Sequence, residues 1–158
     1  MRAQSAQAAE AVIAFDGHCN LCHGAVRFVA RRDRHARFAF LPMQSDAGRA
    51  LCEQLGMDAD DPDSFALIDT GTVQTYSGAW MAILRQLGPG WRLLATLAAC
   101  VPNRLRDLGY RFVARRRYRW FGRSTSCRMP DATAGARLAD EDTLAKALRA
   151  SGTPASNK

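Results

Sequence analysis

"VIAFDGHCNLCHGAV", residues 12–26, changes its periodicity at Asp16-Gly17, and the fold turns on that change. Val12 to Phe15 form a short apolar run that Asp16-Gly17 stops, which is the pattern of a buried strand ended by a turn. Directly afterwards Cys22, Ala25, Val26 and Val29 recur at i, i+3, i+4 and i+7, one face of a helix, while Arg27, Arg31 and Arg32 fall on the solvent side. A strand running straight into a helix puts Cys19 at the first helical turn and Asp16 at the carboxyl end of the strand. In α/β sheets, ligands and reactive groups gather at that end.

Working outward, "ARFAFLP" reads as a second strand with Phe38 and Phe40 on one face and Pro42 as its end. Ser45 can cap a helix through Leu55 that places Ala47, Leu51 and Leu55 together and stops at Gly56. "GMDADDPD" is an acidic loop. "SFALID" and "TVQTY" flank Thr70-Gly71 as a hairpin, and Ser77 is the expected cap of a helix over "GAWMAILRQL" closed by Gly88-Pro89-Gly90. A strand-helix-strand opening implies a parallel pair, and the hairpin adds an antiparallel partner. The expected architecture is α/β, a small mixed sheet flanked by helices.

The rest reads as a helical C-terminal extension from about residue 91. Trp91 to Cys100 form one short helix, and Pro102 starts another whose inner face is expected to carry Leu105, Leu108, Phe112 and Val113. One domain is expected over residues 11–130, with disorder over 1–10 and over 131–158 apart from a short helix at 143–150.

The 158 residues carry a formal net charge of +7, concentrated between Arg104 and Arg123, where eight arginines face the single acid Asp107. The expected role is a solvated face whose arginine stems cover apolar surface. Weak contact with an anionic membrane through residues 104–123 stays open. No nucleic-acid motif accompanies the arginines, so sequence-specific nucleic-acid binding is not expected. The N-terminal residues lack the apolar core of a secretory signal, and the most apolar later stretch, "WRLLATLAACVP", is about half of the ~20 residues a membrane span needs. A cytoplasmic protein is expected, in a compartment that keeps thiols reduced.

Five cysteines, Cys19, Cys22, Cys52, Cys100 and Cys127, are too few and too scattered for a secreted disulfide scaffold. Cys52, Cys100 and Cys127 read as small apolar groups, the first two on buried helix faces. Cys19-Asn20-Leu21-Cys22-His23 admits three chemistries. Covalent haem attachment matches C-x-x-C-H, but the strand just upstream and the lack of an export signal oppose it. Structural zinc needs a second ligand pair that the chain lacks, and it stays the alternative, a non-enzymatic protein in which Cys19 and Cys22 hold the metal and the arginine-rich helix binds an anionic partner. A redox dithiol needs least. A cysteine in the first turn of a helix has its thiolate stabilised by free N–H groups and the helix dipole, and a second cysteine three residues on lies near disulfide distance. Cys19 is then the candidate nucleophile and Cys22 the candidate resolving thiol. Asp16 is either a proton acceptor for Cys22 or the cap of its own turn. His18 and His23 are taken as bystanders.

At this point the chain resembles the DCC-type thiol-disulfide oxidoreductases of the thioredoxin-like superfamily. "FDGHCNLC" matches their D-x-x-C-x-x-C pattern, and "DPDSFALID", "YSGAWMAILRQLG" and "YRWFGRSTSCRMP" resemble their later segments, covering roughly residues 12–130. The resemblance implies a thioredoxin-like fold and disulfide exchange at Cys19 and Cys22, with Asp16 as the motif acid. The expected partners are a disulfide-containing protein or a low-molecular-weight thiol, and a reductant such as thioredoxin or glutathione, with no cofactor. Thioredoxin-like proteins commonly place a cis-proline just before the strand facing the dithiol. Here Ser64 stands nearer that place and Pro62 reads as a loop proline.

Overall fold

The computed structural model describes residues 9–124 and 137–149. The elements run β1 (Ala11–Phe15), α1 (Asn20–Arg32), β2 (Phe38–Pro42), α2 (Asp46–Leu55), β3 (Ala66–Asp69), β4 (Thr72–Thr75), α3 (Tyr76–Gln86), α4 (Pro89–Ala99), α5 (Asn103–Phe121) and α6 (Glu141–Arg149). The sheet order is β2-β1-β3-β4, with β1 parallel to β2 and antiparallel to β3, and β3 antiparallel to β4. This mixed sheet flanked by helices is thioredoxin-like, as the sequence led one to expect.

Both faces of the sheet are buried, and strand alternation sorts the side chains. Ile13, Phe15, Phe38, Phe40 and Leu67 point to the face covered by α1 and α3, where Val26, Val29, Ala79 and Ile83 meet them. Val12, Ala14, Ala39, Leu41, Ala66 and Ile68 point to the opposite face, against Ala47, Leu51 and Cys52 of α2 and Leu144 and Ala147 of α6. Ser45 caps α2 through Gly48 N–H at 3.1 Å, and Gly56 ends it in a left-handed conformation. Gly48 is required by contact. A Cβ there would lie 2.6 Å from Met43 Cα, so no side chain fits between α2 and the end of β2. Thr70 and Gly71 both have positive φ, 46° and 72°, the form of turn that matches strand twist in a two-residue hairpin.

Four expectations are corrected. Ser77 does not cap α3. The helix begins two residues earlier, and Thr75 at its N-cap makes no side-chain cap. Its free donors are met from elsewhere: Tyr76 N–H by Ser64 Oγ at 2.6 Å and Ser77 N–H by Asp107 Oδ1 at 3.2 Å. Asp107 also accepts from the Ser77 hydroxyl. Cys100 is exposed at the end of α4, not buried. The inner face of α5 is not its apolar one. Leu105, Leu108, Phe112 and Val113 are exposed, because α5 packs through Asp107, Tyr110, Arg117 and Tyr118.

The fourth correction concerns the tail. Residues 137–139 run beside β2, where Phe40 N–H donates to Arg137 O and Ala139 N–H to Phe40 O, both at 2.8 Å. Arg137 pairs with the buried Asp33 at 2.9 Å. Asp140 accepts from Thr143 N–H at 2.8 Å to start α6, which seats Leu144 and Ala147 against the sheet. The short helix expected at 143–150 is present, over Glu141–Arg149; what polar composition did not suggest is the ordered stretch before it, residues 137–140, and the docking of the helix on the sheet face. The disorder expected over 1–10 falls largely outside the described residues, and Ala9 is buried. Among the described residues no helix is long and apolar enough to cross a membrane.

Candidate functional site

The turn after β1 is built by Asp16 and Gln44. Asp16 Oδ1 accepts His18 N–H at 2.9 Å, closing an Asx turn, and Gln44 Nε2 at 3.0 Å. Gln44 Oε1 accepts Gly17 N–H at 2.8 Å. The turn delivers Cys19 to the N-cap of α1 in extended conformation, where its Sγ accepts Cys22 N–H at 3.3 Å. Cys22 follows one turn later on the buried face. Both thiols are free and both are buried.

The two sulfurs differ electrostatically. The Cys19 pKa is lowered, chiefly because the Cys22 thiol hydrogen-bonds to it. The Cys22 N–H and Arg117 act in the same direction, against burial and Asp16. The Cys22 pKa is raised far above the ordinary thiol range, first by that same hydrogen bond and then by burial. Lowering one thiol's pKa at the helix end while raising its neighbour's is the arrangement that favours a nucleophile beside a protonated thiol.

Asp16 Oδ2 faces the other way, toward α5. It accepts from the Tyr118 hydroxyl and from Arg117 Nη2 at 3.5 Å. Arg117 is itself buried. Its Nη2 also donates to Pro62 O at 2.8 Å and Asp61 Oδ1 at 3.0 Å, and its Nη1 to Ala114 O at 3.0 Å. Of the two roles weighed for Asp16, the turn cap is the one its contacts display, through Oδ1, while Oδ2 joins a charge network with Arg117 and Tyr118. Tyr110 of α5 accepts Phe65 N–H at 3.1 Å, tying the start of β3 to the same helix.

Cys19 is covered by the chain leaving α5. Cys19 and Arg123 form an isolated antiparallel bridge, Ser124 N–H donates to His18 O at 2.8 Å, and Asn20 Nδ2 donates to Phe121 O at 2.9 Å. This strap leaves Cys19 at 0% exposure. The two histidines serve the backbone: His18 Nδ1 lies 3.2 Å from Ser124 O and His23 Nε2 2.8 Å from Gly17 O. Pro62 is trans, since no cis peptide bond occurs among the described residues, and Ser64 stands before β3 with its hydroxyl donating to Phe65 O at 2.8 Å.

Reading the sequence brought Cys19, Cys22 and Asp16 together correctly in space but missed Gln44, Tyr110, Arg117 and Tyr118. Among seven exposed or half-buried arginines of the basic run, nothing local distinguishes Arg117. The one available signal was its place next to "YRWFGR", a block already matched to the family. Cys52 is buried as expected, and Cys127 lies outside the described residues. Among the described residues no group of three or more His, Cys, Asp or Glu side chains is arranged to hold a metal ion.

The fold and this site define a thioredoxin-like domain with a C-x-x-C dithiol at the start of its first helix. The chain belongs to the DCC1-like thiol-disulfide oxidoreductase family, which matches residues 13–123. It is 41% identical over 126 residues, 80% of this chain and 91% of the relative, to the uncharacterized protein YuxK of Bacillus subtilis (strain 168). It is also 36% identical over 118 residues, 75% of this chain and 69% of the relative, to the chloroplastic DCC family protein At1g52590 of Arabidopsis thaliana. No solved structure gives a significant match. The family assignment supports a redox role for the chain.

Proposed function

We propose that the protein exchanges disulfides through Cys19 and Cys22, acting on a disulfide-containing protein or a low-molecular-weight disulfide. The Cys19 thiolate attacks one sulfur of the substrate disulfide, forming a mixed disulfide and expelling a thiolate that takes a proton from water. Cys22 then gives up its proton, with Asp16 as the nearby acceptor, and its thiolate attacks Cys19 Sγ. The second substrate thiol leaves and a Cys19–Cys22 disulfide remains. Two electrons pass from the dithiol to the substrate. A reductant such as thioredoxin or glutathione restores the dithiol, or the cycle runs in reverse, with the potential deciding direction.

The single observation that carries this reading is the placement of Cys19 Sγ at the α1 N-cap, 3.3 Å from the Cys22 N–H and with its pKa lowered. Differential alkylation across a graded thiol-disulfide buffer series, mapped to each cysteine by peptide mass spectrometry, tests it. Cys19 and Cys22 are expected to lose and regain reactivity together at one midpoint while Cys52 and Cys100 do not. Failure of the pair to oxidise together sinks the proposal.

A contact surface for an anionic membrane is proposed for α4 and α5. Leu93, Leu97, Leu105 and Leu108 are each about 60% exposed there, and Arg116 lies over the exposed Phe112 ring at 3.9 Å. Apolar side chains set among arginines are the composition of an interfacial helix surface.

A further inference from the structure

The carboxylate of Asp16 is surrounded by donors: Oδ1 accepts His18 N–H and Gln44 Nε2, and Oδ2 accepts Arg117 Nη2 and the Tyr118 hydroxyl. A backbone N–H and a guanidinium have no acceptor form. Gln44 cannot turn its amide round either, because its Nε2 also donates to Ala59 O at 2.7 Å and its Oε1 accepts Gly17 N–H at 2.8 Å. Yet a carboxyl group that takes a proton becomes a donor, and when buried it needs an acceptor for its new O–H. At Asp16, which is 3% exposed, the Tyr118 hydroxyl is the one partner among the described residues that can reverse.

Tyr118 also stands where a proton can leave. Asp16 and Cys22 line a mostly apolar cavity between α1, α3 and α5, and Tyr118 does not. Tyr118 lines the neighbouring polar cleft of about 320 Å³, with Asp61, Asp63, Arg111 and Arg115, which has room for several water molecules. The half-buried phenol therefore joins the dithiol side to a wet surface. Burial, and then the hydrogen bond to Asp16, raise the Tyr118 pKa, so the hydroxyl keeps its proton at neutral pH.

We infer that Tyr118 is a positioning residue for the resolving step, whose hydroxyl reverses to accept the proton that Asp16 takes from Cys22 and passes a proton on to the polar cleft. The inference rests on the disulfide-exchange reading above, with Asp16 as its proton acceptor. The Cys22 S–H proton goes to Asp16 Oδ2, the Tyr118 O–H turns to a water of the cleft, and the new carboxyl O–H donates to the phenol oxygen. Once that proton has crossed and the phenol proton has gone to water, Asp16 is a carboxylate again and Tyr118 a neutral phenol. The Cys22 thiolate bonds to Cys19 Sγ as the bond from Cys19 to the substrate sulfur breaks, and no further oxidant or reductant enters. The charged and titratable groups facing Asp16 are Cys19 and Cys22 from α1 and Arg117 and Tyr118 from α5, with Asp61 reaching it only through Arg117.

The test follows resolution alone. In the full chain with Cys100→Ser and Cys127→Ser, Cys19 is loaded with nitrothiobenzoate from dithiobis(nitrobenzoate) in mildly acid buffer, checked by peptide mass spectrometry, and jumped to a series of higher pH values. Release of nitrothiobenzoate, a thiolate that leaves without needing a proton, is read by its absorbance. With both side chains intact the rate is expected to hold a plateau across neutral pH before a hydroxide-driven rise. Tyr118→Phe, checked for folding by circular dichroism, is expected to lower the plateau about 10- to 100-fold, the range of one hydrogen bond to a charged group, and to leave the hydroxide-driven rise in place. A Tyr118 that only donates gives the opposite sign: the carboxylate, losing a donor, becomes the stronger base, and a plateau that holds or rises overturns the inference. An equal drop at every pH marks a structural role and overturns it as well. Asp16→Asn is expected to abolish the plateau, and Tyr118→Phe added to it is expected to change the rate by less than about twofold. A persisting plateau, or losses that multiply, count against the relay. If the intact pair releases no nitrothiobenzoate at any pH, the exchange reading itself fails, whereas the other outcomes leave that reading standing.

Discussion

Replacing Arg117 by methionine keeps an unbranched side chain of similar reach and removes the charge. Arg117 is 7% exposed and Asp16 3%, so their pair lies where solvent does little to screen the loss. Breaking a buried pair from one side costs about 3–5 kcal/mol, because the remaining charge is left in a poor solvent. Asp16 keeps Tyr118, Gln44 and His18 N–H after the substitution, which sets the expectation at the lower end, about 3 kcal/mol. Arg117 also holds Asp61, but that carboxylate is 67% exposed and contributes under about 1 kcal/mol. Asp61→Ala is therefore the internal control. In equilibrium urea unfolding of the reduced protein, Arg117→Met is expected to lower the midpoint by about 1–3 M, using the slopes usual for small domains, with little change for Asp61→Ala. Asp16→Asn in the same background should recover part of the loss, since the uncompensated charge is then gone. A cost for Arg117→Met equal to that of Asp61→Ala, or additivity of Asp16→Asn with Arg117→Met, refutes the view that the arginine neutralises Asp16.

Cys22→Ala removes the largest influence lowering the Cys19 pKa, so the midpoint of Cys19 alkylation against pH is expected to move up; an unmoved or lower midpoint contradicts the part given to the Cys22 thiol. Asn20→Ala deletes the bond to Phe121 O that helps hold the strap over Cys19, and iodoacetamide labelling of Cys19 should accelerate about two- to tenfold, the range of one hydrogen bond. Gly48→Ala forces a Cβ onto the Pro42 carbonyl and Met43 Cα, and thermal unfolding should register a loss of at least about 1–3 kcal/mol. The α4–α5 face is expected to co-sediment the protein with phosphatidylserine vesicles at low salt and to release it at about 1 M salt; equal binding to neutral vesicles counts against the arginines' part.

Local chemistry determined a good deal of this protein from the sequence alone. The apolar run "VIAF" stopped by Asp16-Gly17, the strand in "RFAFL", the Ser45 cap, the Gly56 stop and the Thr70-Gly71 turn each depend on a few neighbouring residues, so they could be read without knowing what they pack against. The same holds for Cys19 and Cys22, whose spacing within one helical turn makes them neighbours in any fold that forms α1. The tertiary structure decided what surrounds them. Arg117 and Tyr118 reach Asp16 across 101 and 102 residues, and no property of the run "ARRRYRW" says which arginine turns inward. The apolar spacing of α5 indicated the opposite face. It misled because this helix is held by hydrogen bonds to Ser77, Phe65, Pro62 and Asp16 rather than by its leucines, which stay exposed. Docking of α6 was likewise illegible, since Leu144 and Ala147 gain stability only from a sheet face assembled by strands far away in the chain. Periodicity tells that a face exists, while its partner is settled by which surfaces remain uncovered once the rest has folded.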